Sequence, residues 1–129
     1  MMIEIHHIGI VVENIESSME LFSAIGFNFE GEKIIDTIQN NILQMLIDSK
    51  GNRIELIQPL NEMSTVNIKS QGLHHIAIKT DDEVTFRKVL RERKIGKVFT
   101  PNIKAPLFNY SEVFFSYMNN NVIIEVVQI

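Results

Sequence analysis

The sequence predicts an α+β fold made of two copies of one β-α-β-β-β module, and three observations predict it. His6-His7-Ile8-Gly9-Ile10 returns as His74-His75-Ile76-Ala77-Ile78, and Ile54-Glu55-Leu56-Ile57-Gln58 returns as Ile124-Glu125-Val126-Val127-Gln128. The intervals agree: His7 and His75 lie 68 positions apart, Glu55 and Glu125 70. Each copy also carries one segment of helical periodicity after its first strand. A chain of 129 residues suits one compact domain. Its expected organisation is a single domain over 1–129, with a module at 1–60, a linker at 61–71 and a second module at 72–129.

The elements follow in order. Ile3 to Val12 alternates as a strand does, with Ile3, Ile5, His7, Gly9 and Val11 on one face and His6, Ile8, Ile10 and Val12 on the other. Asn14 caps a predicted helix whose apolar stripe is Ile15, Met19, Phe22 and Ile25, and Gly26 stops it. Strands are expected at 27–35, 41–48 and 53–58, the last two joined by a Ser49-Lys50-Gly51-Asn52 turn. Pro59 to Gln71 is polar and irregular. In the second module a strand covers 73–80, and Asp81 or Asp82 caps a helix carrying Phe86, Val89, Leu90 and Arg93, with Gly96 as its end. Strands at 97–100, 112–118 and 122–128 complete the copy, the last two joined through Asn119-Asn120-Asn121. Pro101 to Ser111 reads as a long loop, a common place for a binding edge.

Composition excludes several classes. Apolar residues make up 45% and charged residues 22%, an ordinary globular balance. A net charge of −4 argues against a nucleic-acid partner, which needs a clustered basic surface. The one basic run, Arg87-Lys88 with Arg91, Arg93, Lys94 and Lys97, reads as the solvated face of a helix that an anionic cosubstrate tail could use in part. There is no cysteine, which removes disulfides, thiolate metal sites and cysteine nucleophiles. The start lacks a signal-peptide pattern and no apolar run reaches membrane-spanning length, so a cytoplasmic protein is expected.

The chemistry sits in the repeat. A strand glutamate flanked by apolar residues, as Glu55 and Glu125 are, has to be paired, metal-bound or on an exposed face. A lone strand histidine is usually a packing residue. A histidine strand and a glutamate strand recurring together at matching intervals point instead to a shared site. Two histidines and two glutamates form a ligand set for a divalent transition metal with coordination positions left over. His7 shares its face with Gly9, and His75 with Ala77, so open space is expected beside each imidazole. By the same alternation His6 and His74 point to the helix face, as packing residues or as residues that support the ligands from behind.

The segments His6 to Val12, Ile54 to Leu60, Gly72 to Ile78 and Val122 to Glu125 resemble the vicinal oxygen chelate superfamily, the glyoxalase, bleomycin-resistance and extradiol-dioxygenase group. The resemblance covers almost the whole chain. It implies paired modules curling into a cup-shaped mixed sheet around one divalent ion (nickel, cobalt, zinc or manganese) held by His7, Glu55, His75 and Glu125. It also implies, by analogy alone, a homodimer. Two branches share a chemical step, proton abstraction next to a carbonyl through a metal-bound enediolate. Pro59 to Val66 followed by Gly72-Leu73-His74-His75 is similar to methylmalonyl-CoA epimerases. The two-His, two-Glu set also looks like glyoxalase I, a lactoylglutathione lyase. Some such epimerases carry a further strand glutamate as base. The nearest residue here is Gln44, read as a polar residue on the wetter face of its strand, so the catalytic base would be Glu125 or Glu55. Members that bind planar antibiotics without metal tend to lack these ligands and to line the cup with aromatics. Here all four ligands are present, Trp is absent and aromatics are 8%. Extradiol iron oxygenases usually take two histidines and a single carboxylate. The expected partner is a small carbonyl or thioester substrate, with no nucleic acid and no membrane.

Overall fold

The computed structural model describes residues 1–128 and shows two helices with nine strands of a mixed, open sheet. This is the α+β architecture that the repeat predicts. Among the described residues no helix is long and apolar enough to cross a membrane. The chain divides into two compact units, one of His7–His74 and one of Met1–His6 with the stretch from His75 onward.

The first unit contains β1 (Ile3–Val11) from His7 on, α1 (Ile15–Ala24), β2 (Asn28–Asp36), β3 (Asn41–Ile47) and β4 (Arg53–Pro59). Its strands run in the order β2-β3-β4-β1, with β1 parallel to β4 and the rest antiparallel. α1 starts where the sequence predicts. The Asn14 side chain accepts the Ser17 N–H at 2.9 Å, and the Gln58 side chain accepts the Ile15 N–H at 2.9 Å, so two of the helix's unpaired donors are satisfied. Ile15, Met19 and Phe22 then pack with Ile10, Val12, Leu46 and Leu56. Ile25 departs from the expected stripe: it is the C-cap and 74% exposed. Gly26 follows it at φ +114°, a conformation that turns the chain before another helical turn can bury Ile25.

β2 is bulged between Glu30 and Ile34, where Gly31 adopts φ +75°. The linker is less irregular than its composition suggests. It contains a 3-10 turn at Ile68–Ser70, and the buried Asn41 ties it to the β2–β3 turn through Ser64 and Thr65.

The second unit contains β5 (Gly72–Thr80) from His75 on, α2 (Glu83–Glu92), β6 (Gly96–Val98), β7 (Ile103–Ala105), β8 (Ser111–Met118) and β9 (Ile123–Val127). The order is β5-β9-β8-β6, with β7 also paired to β8. Asp82 is the α2 cap, accepting the Thr85 N–H at 2.9 Å and its hydroxyl at 2.6 Å. Phe86 and Leu90 bury against Ile78, Phe114 and Val126. Gly96 does not end this helix. The helix caps at Arg93, Lys94 makes the left-handed turn at φ +54°, and Gly96 begins β6. Glycine is needed there because a Cβ would lie 2.4 Å from the Tyr117 carbonyl oxygen. The expected loop at 101–111 is also corrected. It holds β7 and a 3-10 turn at Pro106–Phe108, because Ile103 and Ala105 pack on Val113 and Phe115.

Candidate metal centre

Both units build the same half-site from one rule of register. The parallel pairing of β1 with β4 sets Gly9 opposite Glu55; that of β5 with β9 sets Ala77 opposite Glu125. Two residues earlier on the same face stand His7 and His75. A small residue opposite each glutamate leaves its carboxylate room to lean toward the histidine. The His7 Nε2 lies 3.6 Å from a Glu55 oxygen, and the His75 Nε2 lies 3.1 Å from a Glu125 oxygen. All four are buried, with 1%, 5%, 3% and 4% exposure for His7, Glu55, His75 and Glu125.

In each unit one imidazole nitrogen and one carboxylate oxygen stand close together, so each half offers two ligand atoms. Burying a carboxylate beside an imidazole, as each unit does, is costly unless a cation compensates it. Imidazole nitrogen with carboxylate oxygen is a donor set that suits borderline divalent ions such as zinc, nickel or cobalt, and manganese. The residues present therefore fit a divalent metal site.

The surroundings of the two halves differ. Directly across β3 from Glu55 stands Met45; directly across β8 from Glu125 stands Phe115. Phe115 meets the His75 ring edge-on at 5.7 Å. Sequence reasoning did not single out either residue, although the alternation of Val113, Phe115 and Tyr117 marks a face. Ala77 is fully buried in a cluster with Ala105, Val113, Phe115 and Val127.

Gln44 is not on a wetter face. It is 2% exposed and pairs with Leu56, a member of the helix-side core, while Met45 pairs with Glu55. Its Nε2 donates to the Gly31 carbonyl at 3.1 Å and the Met45 carbonyl at 2.9 Å, which satisfies the carbonyl exposed by the β2 bulge. His6 stands against the second unit's 3-10 turn. Its ring meets Phe108 edge-on at 5.2 Å, and Phe108 belongs to the 3-10 turn.

Known proteins bear on this geometry in three ways. A comparison with curated protein sequences finds no match. Among solved structures the chain is similar to a hypothetical protein of Bacillus halodurans C-125 (TM-score 0.84, 20% identity, covering 100% of this chain and 96% of that one). It is similar to methylmalonyl-CoA epimerase from Mycobacterium tuberculosis (0.80, 20%, 96% and 86%). It also resembles a variant of the Streptomyces coelicolor methylmalonyl-CoA epimerase in complex with 2-nitronate-propionyl-CoA (0.76, 25%, 96% and 95%). The model of the glyoxalase/bleomycin resistance protein/dioxygenase superfamily matches residues 6–113, which include both histidines and Glu55. With that match over most of its length, the chain belongs to the glyoxalase/bleomycin resistance protein/dioxygenase superfamily.

Proposed function

We propose that this protein is a divalent-metal-dependent enzyme that removes a proton next to a carbonyl and epimerises a 2-substituted malonyl-type coenzyme A thioester. The observation that carries the reading is the pair of buried His–Glu couples, His7 with Glu55 and His75 with Glu125, built by the same strand register. These four residues would be the metal ligands. A divalent ion held by them would supply Lewis-acid chemistry, polarising a carbonyl and stabilising negative charge on its oxygen.

The chain's own residues supply the proton chemistry. One carboxylate, Glu125 or Glu55, accepts the carbon-bound proton, and the electron pair of that bond moves onto the carbonyl oxygen. Returning a proton from solvent to the opposite face of the carbon inverts it, and the base passes the abstracted proton to water. Histidines that stay bound as ligands take no part in the transfer. Met45, across from Glu55, carries no base, and Gln44 is committed to two backbone carbonyls. The likeness to methylmalonyl-CoA epimerases supports the choice of substrate. The same ligand set supports a second reaction, lactoylglutathione lyase chemistry on a glutathione hemithioacetal.

Deuterium exchange in heavy water decides between them, run in parallel on methylmalonyl-CoA and on the methylglyoxal–glutathione hemithioacetal. Metal-dependent exchange on the first alone is expected. Exchange on the second alone would transfer the assignment to the lyase, and exchange on neither in metal-replete protein would end both.

A further inference from the structure

The proposed reaction leaves the basic run of α2 and β6 without a task. Four of its members, Arg87, Arg91, Lys94 and Lys97, surround a cavity of about 520 Å³ with Leu90, Gly96 and Val98, and among the described residues no carboxylate lines it. On a chain of net charge −4 this is a local reversal of sign. Arg87 is held in place: its Nε donates to Glu83 at 2.7 Å, another guanidinium N–H donates to Asn102 at 3.0 Å, and its plane lies 3.8 Å over Phe114. A guanidinium fixed in this way loses little further freedom on meeting a phosphate. Cations near a helix C-terminus also favour the helix dipole, which accounts for Arg91. It does not account for Lys97, which belongs to β6.

The other face of the same strands carries a second feature. From His75 a row of rings runs outward: Phe115 at 5.7 Å, then Phe99 at 6.3 Å from Phe115, then Tyr117 stacked on Phe99 at 4.1 Å. Phe99 and Tyr117 are 42% and 44% exposed, high for two adjoining large rings. Tyr117 is the register partner of Lys97. β6 is three residues long and closes the strand order, two strand spacings or about 10 Å from β9 and Glu125. A ligand leaving His75 and Glu125 along the rings thus reaches a short open edge with the cations just beyond it.

We propose that the β6 edge binds the phosphorylated nucleotide tail of the substrate, with the Arg87–Arg91–Lys94–Lys97 cavity taking the phosphates. The Phe99–Tyr117 pair carries the uncharged arm between tail and thioester. The identity of the tail rests on the thioester reading above. The site itself is tested without turnover, by calorimetric titration of free coenzyme A, of its dephospho form and of inorganic phosphate. Arg91→Glu with Lys94→Glu should weaken coenzyme A binding on the order of tenfold or more and flatten its salt dependence. Phe99→Ala should weaken it less, and Lys69→Glu, in the other unit, should leave it unchanged. Loss of the extra phosphate should weaken the wild-type and not the doubly reversed variant. Coenzyme A binding that is equal in wild-type and doubly reversed protein, or absent from wild-type, would overturn the proposal. Cation-dependent binding of coenzyme A without proton exchange on its thioesters would uphold this site and remove only the assigned reaction.

Discussion

The two half-sites share their register and differ in their surroundings. Glu55 lies 3.6 Å from its histidine with Met45 across from it, and Glu125 lies 3.1 Å from its histidine with Phe115 across from it. Both are ion-pair contacts, and the second is the closer. Methionine is unbranched and adaptable, whereas Phe115 is locked into a buried cluster and braces the His75 ring. We propose on this contrast a division of labour in which Glu125 stays a ligand and Glu55 is the carboxylate that leaves the metal to take the proton. Repeats thus keep a ligand set and diverge in what surrounds it.

The largest test of this comparison removes both histidines. His7→Ala with His75→Ala is expected to abolish metal binding and exchange together while circular dichroism retains the folded spectrum. Wild-type metal stoichiometry in the double variant would dismiss the four-residue site. The glutamates then separate the halves. Glu125→Gln should lose metal, and with it activity. Glu55→Gln should hold metal but exchange about 10²–10⁴-fold more slowly, the usual cost of a missing general base. The reverse pattern in metal content and rate would assign the base to Glu125.

Stability probes the surroundings. Phe115→Ala should cost about 3–5 kcal/mol in urea unfolding, because it empties a buried cluster and withdraws the ring from His75. Gln44→Leu should cost about 1–3 kcal/mol by leaving the Gly31 and Met45 carbonyls without that donor, with little effect on exchange. An effect of Gln44→Leu on rate that outweighs its effect on stability would return Gln44 to the site.

The smallest contrast lies in the helix caps. Asn14→Ala should cost about 1 kcal/mol at any pH. Asp82 caps α2 through the Thr85 hydroxyl and N–H, and these hydrogen bonds hold its carboxyl below the ordinary value of 3.8. Its contribution is therefore full above that value and fades as pH falls through the lowered one. Unfolding measured between neutral and strongly acid pH should show an acid-dependent difference between Asp82→Ala and wild-type. The corresponding difference for Asn14→Ala should stay flat.

The sequence by itself determined the repeated segments, the α+β class and the Asn14 cap, and it singled out His7, Glu55, His75 and Glu125 as candidates, while it left the α2 cap between Asp81 and Asp82. All of these are written in local patterns: strand alternation, helical periodicity, cap chemistry and a repeat with matched intervals. What the tertiary structure decided was pairing between segments distant along the chain. Which glutamate faces which small residue depends on parallel register, and a slip of one residue would turn every side chain to the other face. The same holds for Gln44, whose polarity suggests a wet face until β4 and the β2 bulge enclose it. It holds for β7, three residues between prolines that become a strand only against β8. Ile25 fits a helical stripe by spacing, yet the turn at Gly26 leaves it exposed. Local propensity proposes such elements, and partners supplied by the folded chain dispose of them.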